Sequence, residues 1–218
     1  MSSNFNFKIK RRVAVAIAVL SLAGSVWALP DAQFEPAFNT FILASGGDEG
    51  AIEKSADGFN ALLKAEPGNL VLMAYAGAST SLKATTTMLP WKKMSYAEDG
   101  MAMLDKALAL LGTTHDAALQ RGVPASLEVR FVAANTFLAV PGFMNRGARG
   151  TKLLGEILSS PLLNLAPLPF RGDVWMKAAS VALNDKHVDE SRKYLTLVIQ
   201  ANAPQAAAAR AQLAKLPA

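Results

Sequence analysis

The chain contains no cysteine. Disulfides, thiolate nucleophiles, thiolate metal sites and a lipid-modified N-terminal cysteine are thereby excluded. Only two histidines occur, His115 and His187. Neither has a partner at metal-ligand spacing, and the sequence has no HExxH, no G-x-S-x-G and no P-loop ending. No pair of carboxylates is nominated by spacing, since Glu98-Asp99 and Asp189-Glu190 fall early in helices, where the dipole favours negative charge. The residues therefore nominate no catalytic group, no metal ligand and no cofactor. No segment alternates apolar and polar residues long enough to argue for a sheet, and no apolar run reaches the roughly 20 residues a membrane helix needs.

What is present is alanine, leucine and helical periodicity. The 218 residues are 51% hydrophobic and 18% charged, enough for one domain with a real core. The net charge of +5 is misleading. Residues 1–28 hold four of the 22 basic residues and none of the 17 acidic ones, so the remainder carries only +1. A basic face for nucleic acid is not indicated.

Residues 1–28 have a three-part layout. Lys8-Ile-Lys-Arg-Arg12 is a basic opening, Val13–Gly24 an apolar run, and Val26-Trp27-Ala28 a small-x-small cleavage signal. This reads as a secretory signal peptide cut after Ala28, leaving 29–218 as a periplasmic or secreted domain without a transmembrane segment. An uncut anchor is the alternative, disfavoured by the short apolar run.

Apolar spacing predicts helices over Asp31–Ser45, with Phe34, Phe38, Phe41 and Ile42 on one stripe, and over Glu49–Ala65. Leu70–Ala84 and Met94–Leu111 follow, separated by Thr85–Lys93, an insert with Pro90, Trp91, Lys92 and Lys93. Gly112–Pro124 reads as a connection. Ala125–Val140, Arg146–Leu158, Asp173–Asn184, Val188–Ala201 and Gln205–Leu216 complete about nine helices, with Ser160–Pro169 irregular. Short turns make antiparallel pairs the natural arrangement.

The last pair carries a recognisable pattern. Trp175-x2-Ala178-Ala179-x2-Ala182 is followed by Ser191-x3-Leu195-x2-Val198 and Pro204. Upstream, Ser55-x3-Phe59-x2-Leu62 precedes Pro67, Met73-x2-Ala76-Gly77 pairs with Gly100-x3-Leu104-x2-Ala107, and Ala133-Ala134 pairs with Gly150-x3-Leu154-x2-Ile157. The anchors Phe59, Leu104, Leu154 and Leu195 recur at intervals of 45, 50 and 41 residues. This resembles a degenerate tetratricopeptide array, whose period is about 34, with the excess in the connections. The glycine and tyrosine of the last-pair pattern are missing. An ordinary helical bundle is the alternative, because periodicity alone does not separate the two. The chain is also similar to exported, uncharacterised bacterial proteins with this repeat.

The resemblance implies an all-α fold of antiparallel pairs stacked as a right-handed solenoid, acting as a non-enzymatic scaffold for a protein or peptide partner in the bacterial envelope. First helices line the groove in such arrays, which nominates Ser81, Lys83, Glu128, Asn135, Asp173, Met176 and Ser180, with Trp91, Lys92 and Lys93 at one rim. The bland reading of the insert is that Pro90 starts a helix, Trp91 packs on the hairpin and the lysines are solvated. A second hypothesis is a small-anion or metabolite-binding accessory of a transport system, with Lys92, Arg146, Arg149 and Arg171 converging on one pocket. Gly142–Gly150, which holds Arg146 and Arg149, could offer N–H groups and guanidinium forks to an anion, or be a plain turn. Phe170-Arg-Gly-Asp-Val-Trp175 reads as a helix start with Asp173 near the N-cap.

Overall fold

The computed structural model describes residues 29–217; the expected signal peptide lies outside them. The described chain is all-helical apart from one two-stranded hairpin. Its elements are α1 (Asp31–Ser45), α2 (Glu49–Ala65), α3 (Leu70–Leu82), α4 (Pro90–Ala109), α5 (Thr114–Ala117), β1 (Leu119–Gln120), β2 (Val123–Pro124), α6 (Ala125–Ala139), α7 (Gly147–Ser159), α8 (Leu168–Asn184), α9 (Val188–Gln200) and α10 (Ala206–Leu213). Short 3-10 turns cover Lys83–Thr85, Gly142–Met144 and Pro161–Leu165. No described helix is long and apolar enough to cross a membrane.

The helices pack as α1 with α2, α3 with α4, α6 with α7, and α8 with α9, and α10 closes against α9. Neighbouring pairs meet through α2 on α3, α3 and α4 on α6, and α7 on α8. The four periodic anchors, Phe59, Leu104, Leu154 and Leu195, are all buried on second helices. Small residues set the closest approaches. A Cβ on Gly77 would lie 2.7 Å from the Gly100 carbonyl oxygen, and one on Gly150 would lie 3.1 Å from that of Ala134. These are the small-residue pairings that the spacing suggests. In the last pair, half-buried Trp175 packs in one cluster with Leu195.

Helix α3 is the centre of the molecule. Leu70 to Ser79 is buried without a break, so it has no solvent face, unlike the one-sided arm its periodicity predicts. Asn69 caps it, accepting from the N–H groups of Val71 and Leu72. Around Tyr75 stand the rings of Phe34, Phe38, Phe41 and Phe59, with centroids 4.9–5.7 Å away. Ile42 leaves the expected stripe and is exposed.

Several boundaries differ from expectation, and prolines explain most. Helix α4 starts at Pro90, as the bland reading of the insert has it, rather than at Met94, because proline's fixed φ and missing N–H suit the first position. Trp91, Lys92 and Lys93 are thus on its first turn, not in a loop. Helix α8 starts at Leu168, with Pro169 beside it in the first turn. Asp173 consequently sits a full turn inside the helix, not at its N-cap. The connection before α6 holds α5 and the β1–β2 hairpin, whose two turn residues, Arg121 and Gly122, have φ of 53° and 75°. Two left-handed residues in a two-residue turn match the twist of the flanking strands. Helix α10 is shorter than predicted at both ends.

Candidate functional site

The hairpin and three first helices bring one polar group into the apolar interior. Arg121 reaches back from the turn, its guanidinium 3.5 Å from the Phe38 ring centroid. Its Nη2 donates to Glu128 Oε1 at 2.6 Å, and the Tyr75 hydroxyl donates to the same oxygen at 2.5 Å. Glu128 is only 1% exposed. Its other oxygen, Oε2, has no partner among the described residues, nor has Arg121 Nε. A buried charge persists only when paired and hydrogen-bonded; here the pairing is half complete. Burial raises the Glu128 pKa, opposed by Arg121 and by both hydrogen bonds. Burial and the neighbouring carboxylate push the Tyr75 phenol up as well.

The turn is held from the other side. Asp31 Oδ1 accepts from Gln120 Nε2 at 2.8 Å and from the Arg121 N–H at 3.1 Å, and Gln120 Nε2 also donates to the Leu29 carbonyl. The start of α1 thereby fixes the residue that pairs with α6.

On α8, Asp173 faces the same group. Its charge raises the Glu128 pKa, and Arg121 lowers its own. Asp173 keeps contact with solvent, yet its enclosure still raises its carboxyl, opposed by Gln205, whose Nε2 donates to Oδ1 at 2.7 Å. Gln205 Oε1 is buried without a donor, as is Asn135 Oδ1 on α6. The arrangement is therefore rich in enclosed acceptors, with Arg121 as its resident cation. Among the described residues no group of histidines and carboxylates is placed to hold a metal ion.

The remaining nominated residues scatter. Ser81 is buried and faces Gly100 of α4, not a groove. Lys83 donates to Glu53 of α2 at 2.9 Å and lies over the Tyr96 ring. Glu128, which the resemblance places on the groove, is instead in the core, because α6 is buried from Ala125 to Val129. Asn135 and Met176 are half-buried and Ser180 is exposed. Arg146 and Arg149 both clamp Asp105 of α4, at 2.9 and 2.5 Å, and both lie near the Phe137 ring. Arg171 lies over Trp175. Lys92, Arg146, Arg149 and Arg171 thus do not share a pocket; a cleft of about 300 Å³ near α6 is lined instead by residues including Asp116, Arg130, Glu156 and Ser160.

Trp91 does not pack on the hairpin. It is 67% exposed, beside Met88 at 88% and the exposed Leu89 and Met94. Lys92 and Lys93 are exposed with them, and neither is ion-paired among the described residues.

Tyr75, Arg121, Gln120 and Gln205 were not nominated from sequence. Tyr75 is hidden in an unbroken apolar run. Arg121 did have a signal, since Arg-Gly between Leu-Gln and Val-Pro is a two-residue turn. No family model, curated protein or solved structure matches the chain.

Proposed function

We propose that the protein is an exported, non-enzymatic helical-repeat scaffold that binds a protein or peptide partner in the bacterial envelope. In this reading the four helix pairs form a degenerate tetratricopeptide-like, right-handed stack. The buried anchors and the Gly77–Gly100 and Ala134–Gly150 approaches support it. With α3 buried among its neighbours, α6 and α8 are left to share a face, and the partner lies along it.

One observation carries the reading. Asp173, exposed on α8, stands beside Glu128 and Gln205, whose Oε2 and Oε1 are enclosed acceptors without donors among the described residues. Enclosed acceptors are ordinarily hydrogen-bonded. A segment laid against α6 and α8 brings N–H groups or a basic side chain to the exposed carboxylate of Asp173, while Met176 and Ser180 give contact along α8. The anion-binding alternative gains nothing from Arg146 and Arg149, whose charge Asp105 already engages.

Affinity isolation from envelope extract tests the proposal, comparing wild type with Asp173→Lys/Ser180→Lys on α8 and Lys193→Glu on α9. A discrete partner retained by wild type and Lys193→Glu, and lost by the α8 variant, is expected. Equal recovery by all three, or recovery of nothing, overturns it.

A further inference from the structure

We infer that the tip joining α3 to α4 inserts into the headgroup layer of an anionic lipid membrane. The inference is independent of the first-helix face, because no residue of the tip takes part in the Glu128 cluster.

Three observations converge on the tip. Met88, Leu89, Trp91 and Met94 are all exposed within seven residues, a density of large apolar side chains that a water-facing turn does not require. The chain on either side of them carries charge of one sign, and of the carboxylates beyond it Glu53 of α2 and Asp99 of α4 are engaged by Lys83 and Ser95. From Pro67 to Ala97 the sequence contains no acidic residue, while Lys92 and Lys93 are exposed and not ion-paired among the described residues. Third, the turn's three threonine hydroxyls bond within it. Thr85 Oγ1 donates to the Leu82 carbonyl at 2.8 Å, Thr86 Oγ1 donates to the Lys83 carbonyl at 3.0 Å, and Thr87 Oγ1 accepts from the Leu89 N–H at 3.3 Å. Pro90 adds no N–H to the start of α4. Hydroxyls bonded in this way lose little by leaving water.

The occupant follows from that chemistry. Tryptophan is enriched where a membrane meets water, because its ring is amphipathic. Lysines beside it are drawn to anionic headgroups and keep their ammonium groups in water. A protruding turn with outward apolar side chains is shaped to enter a soft layer. The tip makes shallow, reversible contact of the interfacial kind and does not span. It orients the domain by the α3–α4 end.

A site-specific fluorescence experiment tests this in the full chain. Trp27→Phe/Trp175→Phe leaves Trp91 as the only tryptophan. Emission is followed on adding vesicles of equimolar phosphatidylglycerol and phosphatidylcholine, with nitroxide-labelled lipids to report depth. The expected result is a blue shift and quenching by shallow nitroxides, absent with phosphatidylcholine alone and weakened by salt. Reversing both charges, Lys92→Glu/Lys93→Glu, lowers the partition coefficient roughly thirtyfold or more. Both lysines are exposed, and circular dichroism confirms that the variant is folded. Because Trp91 itself is read, attachment through residues 1–28 does not mimic the signal. Unchanged Trp91 emission on the anionic vesicles overturns the inference. So does a shift with polyglutamate but not with vesicles, which assigns the tip to an acidic protein.

Discussion

Replacing Gly100 by alanine should weaken the protein, although the same change elsewhere in a helix should strengthen it. A Cβ at Gly100 would lie 2.7 Å from the backbone nitrogen of Ser81 and would also strike the Gly77 carbonyl and the Ser81 hydroxyl. Two of those three obstacles are backbone, so no side chain can swing aside. Helices α3 and α4 must separate at their crossing, where Met101 and Leu104 are buried. Overpacking of a filled core costs about 1–3 kcal/mol, and contact with backbone argues for the upper end. Alanine returns about 1 kcal/mol of helix propensity. The net loss is about 2 kcal/mol, or a fall in Tm of about 4–8 °C for a domain of this size. Gly155 on α7 is exposed, and nothing lies within 4 Å of a Cβ placed there. Gly155→Ala should raise Tm by about 2–4 °C through propensity alone. Thermal melts followed by far-ultraviolet circular dichroism compare the two. Equal upward shifts would refute the close crossing.

The Glu128 group makes two further predictions. Its folded-state pKa is raised by burial, so between the unfolded and folded values the native chain holds the extra proton. The stability it contributes is complete below the unfolded pKa and is lost as pH rises through the raised value. Urea midpoints of wild type and Glu128→Gln, measured from about pH 4 to pH 8, should therefore move in the variant's favour with increasing pH; movement the other way would mean that Arg121 and Tyr75 outweigh burial. Tyr75→Phe removes one of the carboxylate's two donors and should cost about 1.5–3 kcal/mol, shrinking below about 1 kcal/mol in a Glu128→Leu background, as a double-mutant cycle measures.

The helices were legible where spacing and local chemistry agree. Asp31–Ser45 and Glu49–Ala65 are bounded by Pro30, Gly46, Asp48 and Glu66, and both occur as predicted. Pro90 was legible as a helix start on one of the two readings of the insert, whereas Pro169 misled because a proline inside the first turn reads as a break from outside the helix. The site was less legible, for a physical reason. Glu128 looks solvent-facing beside its sequence neighbours, and its burial depends on Arg121 and Tyr75, 7 and 53 residues away. Periodicity encodes which face is apolar, not which distant charge will meet it there. Trp91 shows the converse, since its type suggested burial and its place at a projecting tip exposes it.

The central claim is that the face of α6 and α8 receives a partner segment. Site-specific photocrosslinking in envelope extract addresses it most directly, with the crosslinking residue placed at Ser180 on α8 or, for comparison, at Lys193 on α9, both exposed. The account predicts a discrete adduct from position 180, none from position 193, and loss of that adduct when Asp173 is changed to lysine. Adducts of equal yield from both positions, or none from position 180, would contradict it.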